Sequence, residues 1–158
     1  MSNSKIILRN SQINLLEKLM VSLERTGLQP AMAKIVSLLL ISDEPELTFD
    51  EIRLTLEISK SATSTAINQL LGMNKIEYKS KLGDRKRYFC SRMHSWQEDV
   101  KLQLEGMSAL GNLFQDVLDQ RPVYTKEFNK NLKSLILFMD FLSIELPILI
   151  KRYENTSK

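Results

Sequence analysis

Two helix-start signals stand close together in the stretch "LTFDEIRLTLEISKSATSTAINQLLG". Thr48 and Glu51 have capping-box spacing, in which the Thr hydroxyl accepts the Glu51 amide and the Glu side chain reaches back to the Thr48 amide. Ser59 is a second N-cap residue. Only a two-turn helix and a tight turn fit between them. The spacing predicts a helix over Phe49–Leu56, a turn at "EIS", and a second helix from Lys60 to about Met73. Two short helices joined this tightly form a helix-turn-helix.

The second helix has an unusual surface. At about 100° per residue, Thr63, Ala66, Ile67, Leu70 and Leu71 share one side. Ser61, Thr65 and Asn68 fall opposite, flanked by Ser64 and Gln69. An ordinary surface helix carries Glu and Lys, which favour helix. This one is small, polar and uncharged apart from Lys60 at its start. Such a face lets the backbone approach a major groove closely, and its hydroxyls and amides suit phosphates and base edges. Asn68 is suited to adenine. The alternative is that these Ser and Thr residues are caps and surface filler.

Next comes "IEYKSKLGDRKRYFC", which alternates. Ile76, Tyr78 and Ser80 lie on one face and Glu77, Lys79 and Lys81 on the other, "LGD" makes the turn, and "RKRYFC" returns. A hairpin after three helices makes the unit a winged helix-turn-helix, with Lys60–Met73 as recognition helix. Arg85 at the wing tip suits a minor groove or the phosphate backbone. Lys81, Lys86 and Arg87 add sequence-independent affinity through counterion release. Asp84 is expected to orient a neighbouring Arg or to form the turn, and the two roles are compatible.

Charge supports this reading through its distribution. The whole chain is +3, but residues 58–92 hold eight Lys/Arg and two acids, for +6, while the remainder holds 14 basic and 17 acidic residues, for −3. A basic segment on a mildly acidic body points to a polyanionic partner, against the alternative of a solvated charged face.

The flanks are helical. Lys5–Thr26 reads as an amphipathic helix from the spacing of Ile13, Leu16, Leu19, Met20 and Leu23, with Gly27 at its C′ position. Pro30–Ile41 is apolar around most of its surface and is the expected central buried helix. "SDEPEL" reads as a loop. Trp96–Asp119 and Lys126–Tyr153 read as two long helices separated at Pro122, the second kinked by Pro147.

Several functions find no support in the residues. There is no Gly-rich phosphate loop, no nucleophile elbow and no His pair, so no enzyme is expected. His94 stands alone and Cys90 is the one cysteine, so neither a metal site nor a cofactor is expected. Cys90 reads as a small strand residue, with a redox role as the alternative. The opening residues carry no secretory or transit pattern, and no apolar run approaches the ~18 residues that span a bilayer. A soluble cytoplasmic protein without membrane contact is expected.

With these elements placed, the chain resembles the MarR family of winged-helix regulators, in particular its GbsR-like branch. The resemblance rests on "GLQPAMAKIVSLLL", "LTFDEIRLTLEISKSATSTAINQLLGMNKIEY", "GDRKRYF" and the closing "FMDFLSIELPILIKRYE". It implies a homodimer on a pseudo-palindromic operator, usually a repressor, commonly released by a small-molecule effector. It also implies DNA contacts at Lys60, Ser61, Thr63, Ser64, Thr65 and Asn68, and at Asp84 and Arg85. The helical periodicity instead turns Thr63 inward. Two departures stand out: relatives often have Gly at the position of Ser61, and Arg-Ile-x-Gly at the position of "KIVS".

The expected fold is therefore mainly α with a small β-hairpin wing. A winged helix-turn-helix domain over 28–92 lies between an N-terminal dimerisation helix, 1–27, and a C-terminal helical dimerisation region, 93–158. The apolar stripes of the long helices exceed what one winged helix covers, and pairing across a two-fold axis is the economical solution. The expected function is sequence-specific binding of double-stranded DNA, at the nucleoid. Its contacts are Lys60, Ser61, Ser64, Thr65, Asn68 and Gln69 from the helix, and Lys81, Asp84, Arg85, Lys86 and Arg87 from the wing. The rival readings are a winged-helix interaction module with an acidic partner and an RNA-binding winged helix.

Overall fold

A computed structural model describes residues 5–156. The outermost residues of the expected terminal segments, 1–4 and 157–158, lie outside the described residues. The element order is α1 (Asn10–Arg25), α2 (Pro30–Ile41), β1 (Leu47–Thr48), α3 (Phe49–Leu56), α4 (Lys60–Gly72), β2 (Ile76–Ser80), β3 (Arg87–Ser91), a 3₁₀ turn at Met93–Ser95, α5 (Trp96–Gln120) and α6 (Lys126–Thr156). The chain divides into two compact units, Met1–Met93 and His94–Lys158.

In the first unit, local signals set the helix ends. Pro30 occupies the first turn of α2, where its missing N–H costs nothing. Thr48 Oγ1 accepts the Glu51 amide at 3.3 Å, and a Glu51 carboxylate oxygen accepts the Thr48 amide at 2.7 Å, completing the capping box. Ser59 Oγ accepts the Ala62 amide at 3.2 Å and opens α4. Between α3 and α4 the chain turns through Glu57, at φ 53°. At the end of α1, Gly27 adopts φ 96°. Its amide bonds Glu24 O at 2.9 Å and the Leu28 amide bonds Leu23 O at 3.3 Å, a Schellman closure.

The start of α1 differs from expectation. Lys5–Arg9 is not helical. Ile6 and Leu8 pack against the core, and the Ile6 amide donates to Thr55 Oγ1 at 2.9 Å. The helix begins where Gln12 Oε1 accepts the Arg9 amide at 2.9 Å. Gln12 is buried and its amide nitrogen donates to Ile41 O at 2.9 Å and to Asp43 at 3.1 Å. Arg9 grips the same Asp43 with two parallel bonds of 2.9 Å. These bonds fasten α1 to the C-terminal end of α2, within the unit that holds the winged helix.

The core gathers Met32, Ile35, Leu38 and Leu39 of α2, Ile52 of α3, Ala66, Ile67 and Leu70 of α4, and Leu47, Ile76 and Phe89 of the sheet. The sheet is antiparallel in the order β1-β3-β2. The first residue of β1, Leu47, ends the segment read as a loop, and its second, Thr48, is the expected N-cap of α3. The two strand residues pair with Phe89 and Tyr88. A strand this short has no periodicity to betray it.

In the second unit, α5 packs on α6, and Ile136, Met139 and Gly111 are buried between them. α6 runs as one helix through Pro147. The ring removes one i→i−4 bond, which leaves the Ser143 carbonyl without its helical partner. Much apolar surface stays uncovered on this unit. Leu135, Phe138, Phe141, Ile144 and Ile148 of α6 and Leu110, Leu113 and Val117 of α5 are each at least 44% exposed. An open groove of about 640 Å³ floored by Leu104, Pro147 and Ile150 runs between the two helices. Among the described residues no helix is long and apolar enough to cross a membrane.

Candidate nucleic-acid interface

The stripe of α4 that faces the core is set by four residues: Thr63, Ala66, Ile67 and Leu70 are all buried. Their burial fixes the opposite side. Lys60, Ser61, Ser64, Thr65, Asn68 and Gln69 are all exposed, so the structure presents every expected helix residue to solvent. Thr63 points inward, as the periodicity requires. Its hydroxyl donates to Ser59 O at 2.9 Å, and it has no exposed surface. A contact role for Thr63, implied by the resemblance, does not fit this placement.

The wing is a five-residue strand pair in which Tyr78 faces Phe89, Lys79 faces Tyr88, and Ser80 faces Arg87. Directly opposed residues share a face. Phe89 and Arg87 therefore lie on the side turned to α4, and Lys79 and Tyr88 on the other. On the α4 side a cleft of about 310 Å³ is walled by Phe49, Ile67, Leu71 and Phe89. Ser64 and Asn68 of the helix and Arg85 and Arg87 of the wing border it. Residues 17 to 23 positions apart in the chain thus converge on one opening. Arg87 stacks its guanidinium 4.6 Å from the Tyr78 ring centroid, which braces it against the strand. Arg85 and Arg87 have no ion pair among the described residues.

Two expected wing residues are committed elsewhere. Asp84 serves the turn: Oδ1 accepts the Lys86 amide at 2.9 Å and Oδ2 accepts the Tyr88 hydroxyl at 2.7 Å. These bonds, Tyr88's first, hold its carboxyl below the ordinary aspartate range and keep it charged. The Tyr88 hydroxyl is correspondingly held protonated. Neither Asp84 oxygen is spent on orienting Arg85. Lys81 is the second. Its ammonium lies 3.2 Å from Glu46 and 3.9 Å from the Tyr88 ring centroid. Glu46 also accepts from Lys79 at 3.0 Å. Sequence reading missed this acid, because it lies 33 and 35 residues before its two lysines in a segment taken as loop. Lys86 is half-buried, with its amide held by Asp84.

Cys90 is buried at the far end of β3, and its thiol donates to Glu77 at 3.5 Å. Burial, then the Glu77 bond, pushes the thiol up from its ordinary pKa. That is the opposite of the shift a reactive thiolate needs. Among the described residues no group of three His, Cys, Asp or Glu is arranged to hold a metal ion.

Helices α2, α3 and α4, the last with a polar outer face, and a hairpin wing make this a winged-helix fold. A solved transcriptional regulator superposes with a TM-score of 0.74 over 92% of this chain and 99% of its own, at 19% identity, a likeness of fold. A MarR family regulator from Neisseria meningitidis and the adhesin competence repressor of Streptococcus pyogenes align over 85% and 86% of this chain, each at 20% identity and a TM-score of 0.40. They cover 93% and 95% of their own lengths, and at that score no correspondence of structure follows. No protein-family model and no curated protein matches the chain.

Proposed function

We propose that this protein is a sequence-specific DNA-binding transcription regulator of the MarR type, in its GbsR-like branch. It binds a pseudo-palindromic operator as a homodimer, represses from the nucleoid, and releases DNA when a small molecule binds. One observation carries the reading: Ser64 and Asn68 on the outer face of α4 open into the same cleft as Arg85 and Arg87 of the wing. Amide and hydroxyl groups that suit base edges stand beside cations that suit phosphates and a narrow minor groove. Lys60, Ser61, Thr65 and Gln69 extend the helix contact, and Lys86 adds to the wing.

The dimer is supported by the uncovered apolar rows of α5 and α6, which are larger than scattered surface residues account for. A two-fold axis would set two α4 helices in successive major grooves about one helical turn apart, roughly 34–36 Å. The MarR-type assignment is supported by the motifs quoted above, and the repressor and effector roles follow from that resemblance.

Selection of bound duplexes from a random library at near-physiological salt tests the reading. The expected product is a two-fold symmetric motif with half-sites about 10 base pairs apart. Binding without any motif would overturn it in favour of an interaction module whose basic wing meets an acidic protein.

A further inference from the structure

The wing holds more positive charge than its cleft displays, and the surplus is paired. Lys79 and Lys81 lie on the face of the sheet turned away from α4. There Glu46, which leads into β1, reaches past β3 to both, at 3.0 and 3.2 Å. The carboxylate is largely enclosed, with 19% of its side chain exposed, while both lysines are more than half exposed. Tyr88 lies under Lys81 and passes a hydrogen bond on to Asp84. The face thus carries Lys79 and Lys81 against Glu46, Glu77 and Asp84, with Glu46 the acid that bonds both lysines. The two lysine bonds keep Glu46 below the ordinary carboxylate range, so the pairing persists at neutral pH. On the cleft side Arg85 and Arg87 have no such acid among the described residues.

We propose that Glu46 is a specificity-determining residue of the wing: by pairing Lys79 and Lys81 it withholds them from the phosphate backbone. Arg85 and Arg87, on the cleft side, are left with Lys86 as the wing cations that meet DNA. This rests on the DNA-binding reading above. Phosphate contacts strengthen binding to every sequence alike, whereas base contacts and groove shape discriminate. A wing that engaged Lys79 and Lys81 as well would bind random duplex more tightly and lower the ratio of specific to random affinity. Glu46 removes those two from that sum.

The test compares binding of the full chain to its selected duplex and to a random duplex across a salt series. Glu46→Gln should tighten binding to random duplex more than to the selected one. It should also steepen the slope of log K against log salt by about 0.9 for each lysine released. Glu44→Gln, which removes an exposed acid two residues earlier, should change neither. Replacing Lys79 and Lys81 together by Ala should leave the parent slope unchanged and should abolish the effect of Glu46→Gln. An unchanged slope for Glu46→Gln would overturn the proposal. So would an equal effect of Glu44→Gln, or an effect of Glu46→Gln that survives without the lysines. If Glu46→Gln does not fold, the double lysine variant decides alone: a shallower slope than the parent's shows that both lysines already touch phosphates. A parent protein that binds no duplex at all would overturn the DNA-binding reading and this one with it.

Discussion

The Tyr88 hydroxyl donates to Asp84 across the turn of the wing at 2.7 Å, while the other oxygen of Asp84 accepts the Lys86 amide at 2.9 Å. The pair shapes the tip from which Arg85 projects. Asp84 has a folded-state pKa below its unfolded value of about 3.9. Its contribution to wing order is therefore complete above that value and is lost as pH falls through the lowered one. Side-chain carboxyl shifts followed by NMR should show Asp84 titrating below the ordinary aspartate range. Tyr88→Phe should raise its midpoint, and an unmoved midpoint would refute the coupling.

Arg85 and Asn68 should fail differently. Arg85→Ala is expected to weaken binding to all duplexes and to reduce the salt slope by about 0.9. Asn68→Ala should leave the slope in place and relax preference at one or two base pairs, by about 1–3 kcal/mol for a bidentate contact. Titrations on selected and random duplexes separate the two. Equal losses on both duplexes for both variants would contradict the division.

Thr63 tests inward against outward. Its hydroxyl bonds Ser59 O, which also accepts the Thr63 amide at 2.9 Å, so removing the hydroxyl orphans nothing. Thr63→Val should cost about 0.5–1.5 kcal/mol by denaturant melting and leave DNA affinity unchanged. A specific loss of affinity with stability intact would restore the contact role.

Cys90 should behave as a buried thiol. Alkylation by iodoacetamide at pH 8 is expected to run well below the rate of a free thiol, and to accelerate on unfolding. Cys90→Ser should leave DNA binding and its response to peroxide unchanged. Rapid alkylation of the folded chain would count against this placement.

The helix-turn-helix was legible because its determinants are local. Pro30, Thr48 with Glu51, and Ser59 mark helix starts within one turn of themselves, and the structure begins α2, α3 and α4 where they stand. The polar face of α4 followed from the helical period of about 3.6, and the two faces of β2 from the strand period of two. What escaped was tertiary. Ile6 looked like part of an amphipathic helix, yet it is held extended by Thr55, 49 residues away. Lys81 looked like a free cation because Glu46 is distant in sequence and β1 is two residues long. Asp84 sat beside Arg85 in the chain but bonded Tyr88, four residues on, because the turn brings that hydroxyl back over it.

The outer face of α4 has one more consequence. Ser, Thr and Asn are poor helix formers, so this helix is held by Ala66, Ile67 and Leu70 on its inner side and by the Ser59 cap. Leu70→Ala should cost about 2–5 kcal/mol, while exchanges at Ser61, Ser64, Thr65 or Asn68 fall within about 0.5 kcal/mol either way. Anchoring and surface chemistry thus occupy opposite sides of one helix. A lineage carrying this fold can change the outer residues one at a time, through intermediates that all remain folded. Divergence of the surface is then limited by what each intermediate binds and not by whether it holds its shape.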